Sequence, residues 1–133
     1  CSIAAARQMA EQKKGGVIIH ISSVAAFGGQ QTASVYCATK AALTGLTQAM
    51  ALELAQHRIR VVAVAPGEIH IEATARVSDQ RQTLQIDPRF DAQTPLGIGR
   101  PEDVGSIVAF LASEQAKFVT GVTWLVDGGM MAY

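Results

Sequence analysis

Apolar residues follow two rhythms along this chain. Residues 17–21, VIIHI, form a short, largely β-branched run, which predicts a strand over 17–22 buried on both faces. Residues 60–65 and 120–126 repeat that character and predict two further strands. Between them the spacing turns helical. Ala38, Ala41, Ala42, Gly45, Leu46, Ala49, Met50, Leu52 and Leu54 line most of the circumference of a predicted helix over about 34–56. A helix apolar all round is covered on more than one side. A second helix follows Pro101, Glu102 and Asp103, which suit a helix start, and its Val104, Ile107, Val108 and Leu111 recur at core-facing intervals. The alanine-rich start predicts a further helix ending near Lys14, with Gly15 and Gly16 as its stop. Strands alternating with helices imply an α/β chain with about three parallel strands and flanking helices.

Composition narrows the class without naming it. The chain has 133 residues, the size of one modest domain, with 49% hydrophobic residues and a formal net charge of zero. No apolar run is long enough to span a membrane, and no basic patch calls for nucleic acid or a membrane surface as partner. The start, CSIAAARQMAEQKK, lacks the order of a signal peptide and reads as the tail of a helix, so the chain is expected to begin inside an element. Cys1 and Cys37 make neither a disulfide framework nor a metal pair, so reduced thiols in a cytoplasmic protein are expected. His20, His57 and His70 have no metal-ligand spacing, and no metal is expected. His20 reads as a strand residue and His57 as a helix end; His70, in a loop, is the histidine placed to touch a substrate.

The chemistry lies in an S-x12-Y-x3-K array, Ser23, Tyr36 and Lys40. Tyr36 and Lys40 stand four apart on the predicted helix and so share a face. A phenol titrates near a pH of about 10, and an adjacent ammonium favours its ionised form, which lets a tyrosine exchange protons with a carbonyl or hydroxyl oxygen. Ser23 follows a predicted strand, at the end where open α/β sheets bind ligands. Its hydroxyl can donate to a substrate oxygen as charge develops there. A Y-x3-K pair also arises by chance on helices, so the surrounding motifs decide the matter.

Those motifs are ISS at 21–23, YCATK at 36–40, APG at 65–67, PLG and RPEDV within 95–104, FLAS at 110–113, TG at 120–121 and VDGG at 126–129. In this order and spacing they resemble the short-chain dehydrogenase/reductase family, close to its 3-oxoacyl-reductase and glucose-dehydrogenase-like members. The resemblance covers essentially the whole chain. It implies the C-terminal part of a Rossmann-type doubly wound parallel sheet, a nicotinamide cofactor (NAD or NADP), and a small carbonyl or alcohol substrate. Ser23, Tyr36 and Lys40 would be the catalytic residues. Tyr36, Lys40, Pro66, Gly67 and Ile69 would contact the cofactor, with Lys40 also on the nicotinamide ribose. By the same resemblance the 34–56 helix would pair with a second subunit, giving a homo-oligomer (dimer or tetramer). The tail at Met130, Met131 and Tyr133 is expected to meet a neighbouring subunit as well.

Members of the family are longer and open with a T-G-x3-G-x-G turn that holds the cofactor pyrophosphate. Gly97 and Gly99 do not supply it, because Arg100, Pro101 and Glu102 follow and no strand precedes. The residue that selects NAD or NADP belongs to the same absent segment, so the choice is not legible. Other departures are Val62, where an asparagine is common, and Ile71, where a threonine is common, with Thr74 the nearest hydroxyl; the PLG segment is also one residue short. The polar, irregular stretch from 68–99, broken by Asp87 and Pro88 and carrying the aromatic Phe90, reads as a substrate lid, and 1–133 as the C-terminal portion of a single Rossmann-type domain. A competing reading takes the chain literally, as a truncated structural or oligomerisation module without catalysis.

Overall fold

A computed structural model describes residues 1–70 and 94–132. The expected lid lies mostly at 71–93, outside the described residues, as do Ile71, Thr74, the Asp87 and Pro88 breaker, Phe90 and Tyr133. In chain order the elements are helix α1 (Ser2–Gln12), strand β1 (Gly16–Ile21), helix α2 (Ser34–Leu54), strand β2 (Ile59–Pro66), helix α3 (Pro101–Ala112) and strand β3 (Thr123–Val126). Single 3-10 turns at Val24–Ala26, Ala55–His57 and Glu114–Ala116 follow β1, α2 and α3.

The strands form one parallel sheet in the order β1-β2-β3. Gly16 pairs with Ile59 and Ile21 with Val64, while Ala63 pairs with Thr123 and Pro66 with Val126. Residues 61–65 of β2 are fully buried, as a central strand covered on both faces must be. Its side chains alternate between two cores. Ile59 and Val61 join Ala6, Ile18, Met50 and Ala51 beneath α1 and α2. Val62 and Val64 join Leu111 and Ala116 beneath α3, with Val17, Ile19, Ile107 and Trp124 packed alongside. Burying a side chain such as Leu111 is worth about 1.5–3 kcal/mol, so these two cores carry the fold.

β1 departs from its expected double burial. Ile18 and His20 are buried, but Val17 and Ile19 are only partly covered and Ile21 is 47% exposed. β1 is an edge strand among the described residues, so its α3-facing side has less to pack against.

Local sequence explains the boundaries. Lys13 takes the left-handed conformation (φ 54°) and ends α1 two residues before the expected stop. Gly15 is needed because a Cβ there would stand 2.6 Å from the Arg58 carbonyl oxygen. β3 begins three residues later than 120, since Thr120 and Gly121 are spent on a turn. Thr120 Oγ1 accepts from Val61 N at 3.0 Å, and Gly121 N donates to Val61 O at 2.8 Å. α3 starts at Pro101 as expected, with Asp103 Oδ2 accepting from Arg100 N at 2.7 Å. At its other end Arg60 Nη2, reaching over from β2, donates to Leu111 O at 2.9 Å and satisfies a terminal carbonyl.

Candidate active site

Parallel pairing in this register brings the carboxyl ends of the three strands to one edge of the sheet. The ladder continues one residue past β1, where Ser22 N donates to Val64 O at 2.7 Å. Ser23 is next, extended and 8% exposed. Its Oγ accepts from Ala25 N at 3.2 Å and so caps the 3-10 turn. The hydroxyl hydrogen of Ser23 has no acceptor among the described residues, and that leaves it available as a donor.

α2 packs against this turn and against β2. Tyr36 and Lys40 lie in its first two turns on one face, and Lys40 Nζ stands 5.5 Å from the centre of the Tyr36 ring. Lys40 Nζ also donates to the carbonyl of Ile21 at 2.9 Å, while Ser22 Oγ donates to the carbonyl of Lys40 at 3.0 Å. The cation is thereby held between the phenol ring and the end of β1, close in sequence to Ser23. Tyr36 is 46% exposed, open to a molecule approaching this edge. Cys37, its neighbour, is a free thiol, as is Cys1.

Pro66 ends β2, and Gly67 N donates to Val126 O at 3.0 Å. A Cβ on Gly67 would fall 2.8 Å from both Cα and Cβ of Asp127, so close approach of the chain to the end of β3 demands glycine. Ile69 forms an isolated parallel bridge with Gly99: Gly99 N donates to Glu68 O at 2.9 Å and His70 N to Gly99 O at 2.8 Å. The two described ends of the 68–99 stretch are thus tied to each other. A cleft of about 460 Å³ between the turns after β2 and β3 is lined by Ile69, Leu96, Gly99, Asp103, Leu125 and Gly128. Ser23, Tyr36 and Lys40 do not line it. His70 is exposed and faces a separate cleft with Ile98, Arg100, Pro101 and Glu102.

Part of the C-terminal tail packs on its own chain. Asp127 fixes the turn by accepting from Gly129 N at 3.0 Å and Met131 N at 2.8 Å. Met130 is 9% exposed, and Met131 reaches within 3.5 Å of where a Cβ on Gly28 would sit.

Reading motif by motif overlooked the polar residues behind the array. His20 is buried, with Nδ1 2.8 Å from Thr47 Oγ1 and Nε2 2.9 Å from Ser2 Oγ. Burial holds its imidazole below the ordinary value of 6.5. The available signal was positional: His20 and Ser22 stand two apart at the end of β1, and Thr47 lies two turns beyond Lys40.

Residues 1–131 match the family model described as enoyl-(acyl carrier protein) reductase, and the chain belongs to the short-chain dehydrogenase/reductase family. It is 44% identical over 132 residues to the oxidoreductase YohF of Escherichia coli K12, covering 98% of this chain and 50% of that protein. It is 42% identical over 128 residues to an L-rhamnose 1-dehydrogenase (NAD(P)(+)) of Azotobacter vinelandii, covering 96% and 49%. The crystal structure of acetoin dehydrogenase YohF from Salmonella typhimurium superposes with a TM-score of 0.83 at 41% identity, covering 99% of this chain and 49% of that one. The chain therefore spans about half the length of the curated relatives it matches. Its three-stranded parallel sheet is part of their Rossmann-type fold.

Proposed function

We propose that the whole protein is an NAD(P)-dependent oxidoreductase that interconverts a small carbonyl compound and its alcohol, with Ser23, Tyr36 and Lys40 as the proton-transfer end of its site. The observation that carries this reading is the placement of Lys40 Nζ, 5.5 Å from the Tyr36 ring centre and bonded to the strand end two residues before Ser23. In reduction, Tyr36 gives its phenolic proton to the carbonyl oxygen; in oxidation it takes the hydroxyl proton back. Lys40 places positive charge beside the ring, stabilising the phenol oxygen as its proton leaves. Ser23 donates its uncommitted hydroxyl hydrogen to the substrate oxygen and holds it near Tyr36.

The residues present suit a nicotinamide cofactor. Among the described residues Lys40 uses one of its three N–H donors, on Ile21, and two are left for ribose hydroxyls. Pro66, Gly67 and Ile69 would seat the ring, on a turn kept free of side-chain bulk at Gly67. The bound cofactor would supply or accept hydride.

The relatives named for acetoin and L-rhamnose make small ketols and sugars the first compounds to assay. Val35, Leu46 and Leu52 on α2 are 77%, 40% and 83% exposed, which supports a homo-oligomer formed through the 34–56 helix. The two free thiols fit a cytoplasmic setting, and among the described residues no helix is long and apolar enough to cross a membrane. Fluorescence titration of the whole protein with NADH and NADPH tests the reading: saturable binding of at least one is expected, and binding of neither contradicts it. The same titration on this 133-residue polypeptide alone addresses the non-catalytic module, which tight binding would exclude.

A further inference from the structure

His20 and Ser22 leave β1 on the same face, because side chains two apart on a strand do. Both reach α2. Ser22 Oγ donates to the Lys40 carbonyl at 3.0 Å, and His20 Nδ1 lies 2.8 Å from Thr47 Oγ1. Thr47 already donates its one hydroxyl hydrogen to Leu43 O at 2.7 Å. Nδ1 of His20 must therefore carry the hydrogen and donate it to Thr47, and Nε2 accepts from Ser2 Oγ at 2.9 Å. One neutral tautomer satisfies every partner, and the ring joins α1, β1 and α2.

Lys40 and Thr47 are two turns apart on one stripe of α2, roughly 10 Å along its axis. Apolar contacts such as those of Met50 and Ala51 exclude water but tolerate small slides of a helix along a sheet. Directional bonds at two separated points do not, and burying them is costly unless every group is paired. Here they are paired, immediately behind the residues that must meet the substrate.

We propose that His20, Ser22 and Thr47 are positioning residues for the reaction: together they fix the height and rotation of α2 on β1, and so the distance of Tyr36 and Lys40 from Ser23. This rests on the proposed proton-transfer role of Tyr36.

The test uses turnover of the whole protein with a substrate found by assay. Thr47→Val keeps the shape and removes the acceptor for His20. A displacement of about 1 Å can cost up to roughly 100-fold in rate, so kcat is expected to fall at least about tenfold with KM little changed. Thr47→Ser, which restores the hydroxyl, is expected to recover most of that loss. Thr44→Val makes the same chemical change less than one turn away, at a hydroxyl with no partner among the described residues, and is expected to keep kcat. Wild-type kcat in Thr47→Val, or equal losses in Thr44→Val and Thr47→Val, would overturn the proposal even if the melting temperature fell. Should Thr47→Val fail to fold, Ser22→Ala removes the other fastening at the strand end, and unchanged kcat there overturns it too. Activity surviving in Tyr36→Phe would instead sink the underlying reading; an inactive Tyr36→Phe beside an intact Thr47→Val sinks only this inference.

Discussion

Lys40 Nζ donates to the carbonyl oxygen of Ile21 at 2.9 Å, which ties the cation of the candidate site to the last residue of β1. That bond takes a single donor aimed at a single oxygen, so charge alone does not replace it. Lys40→Arg keeps the charge but presents a longer planar fork that cannot sit between Ile21 and the Tyr36 ring in the same way. We expect turnover of the whole enzyme to fall about tenfold or more in Lys40→Arg, and further in Lys40→Met. Wild-type steady-state rates in Lys40→Arg would show that the tether is unimportant.

His20 predicts a slope in stability against pH. Burial holds its folded-state imidazole below 6.5, whereas the unfolded chain takes up a proton near 6.5. Between those two values the unfolded state binds more protons, so stability drops as pH falls below 6.5 and levels off once the folded ring protonates too. His20→Asn can still donate to Thr47 but does not titrate. Denaturant unfolding at a series of pH values should give it a flatter profile on the acid side; the same slope as wild type would contradict the assignment.

Two threonines on α2 invite the same substitution with opposite results. Thr44 Oγ1 is buried without a partner among the described residues, while Thr47 Oγ1 both accepts from His20 and donates to Leu43. Removing an unsatisfied buried hydroxyl relieves a desolvation cost, so Thr44→Val is expected to be neutral or to stabilise by about 1 kcal/mol. Thr47→Val strands the His20 N–H and is expected to cost about 1–3 kcal/mol. Thermal melts of the pair check the contrast.

Gly67 should resist even a methyl group. The Cβ of an alanine would stand 2.8 Å from Asp127 Cα and Cβ, and Asp127 is pinned by its own bonds to Gly129 and Met131. Gly67→Ala is expected to lose about 1–3 kcal/mol. A Cβ added at Gly105, within α3, would meet nothing within 4 Å among the described residues, so Gly105→Ala should gain about 0.5–1 kcal/mol. Similar melting temperatures for the two variants would contradict both statements.

Elements whose identity depends on near neighbours in sequence were legible. The runs at 17–22 and 60–65 lie within a residue of β1 and β2, and the helix at 34–56 overlaps Ser34–Leu54 and its 3-10 extension. β3 was placed too early because Thr120 looks like a strand residue, and only its side-chain bond to Val61 reveals a turn. The exposure of Ile21 was hidden for a related reason: composition shows that a strand is apolar, not how many neighbours it has. At the site, Tyr36 and Lys40 are joined by helix geometry, which sequence spacing encodes. The links between His20 and Ser2 or Thr47, and between Ile69 and Gly99, connect distant segments and exist only once the chain has folded.

The central claim is that Tyr36 moves the proton. Its most direct test is the steady-state rate of carbonyl reduction by whole enzyme carrying Tyr36→Phe, which keeps the ring over Lys40 and deletes only the hydroxyl. Loss of a positioned acid of this kind costs about 10²–10⁴-fold, so kcat should fall by that factor while nicotinamide cofactor binding persists. A kcat within a factor of about two of wild type would contradict the account.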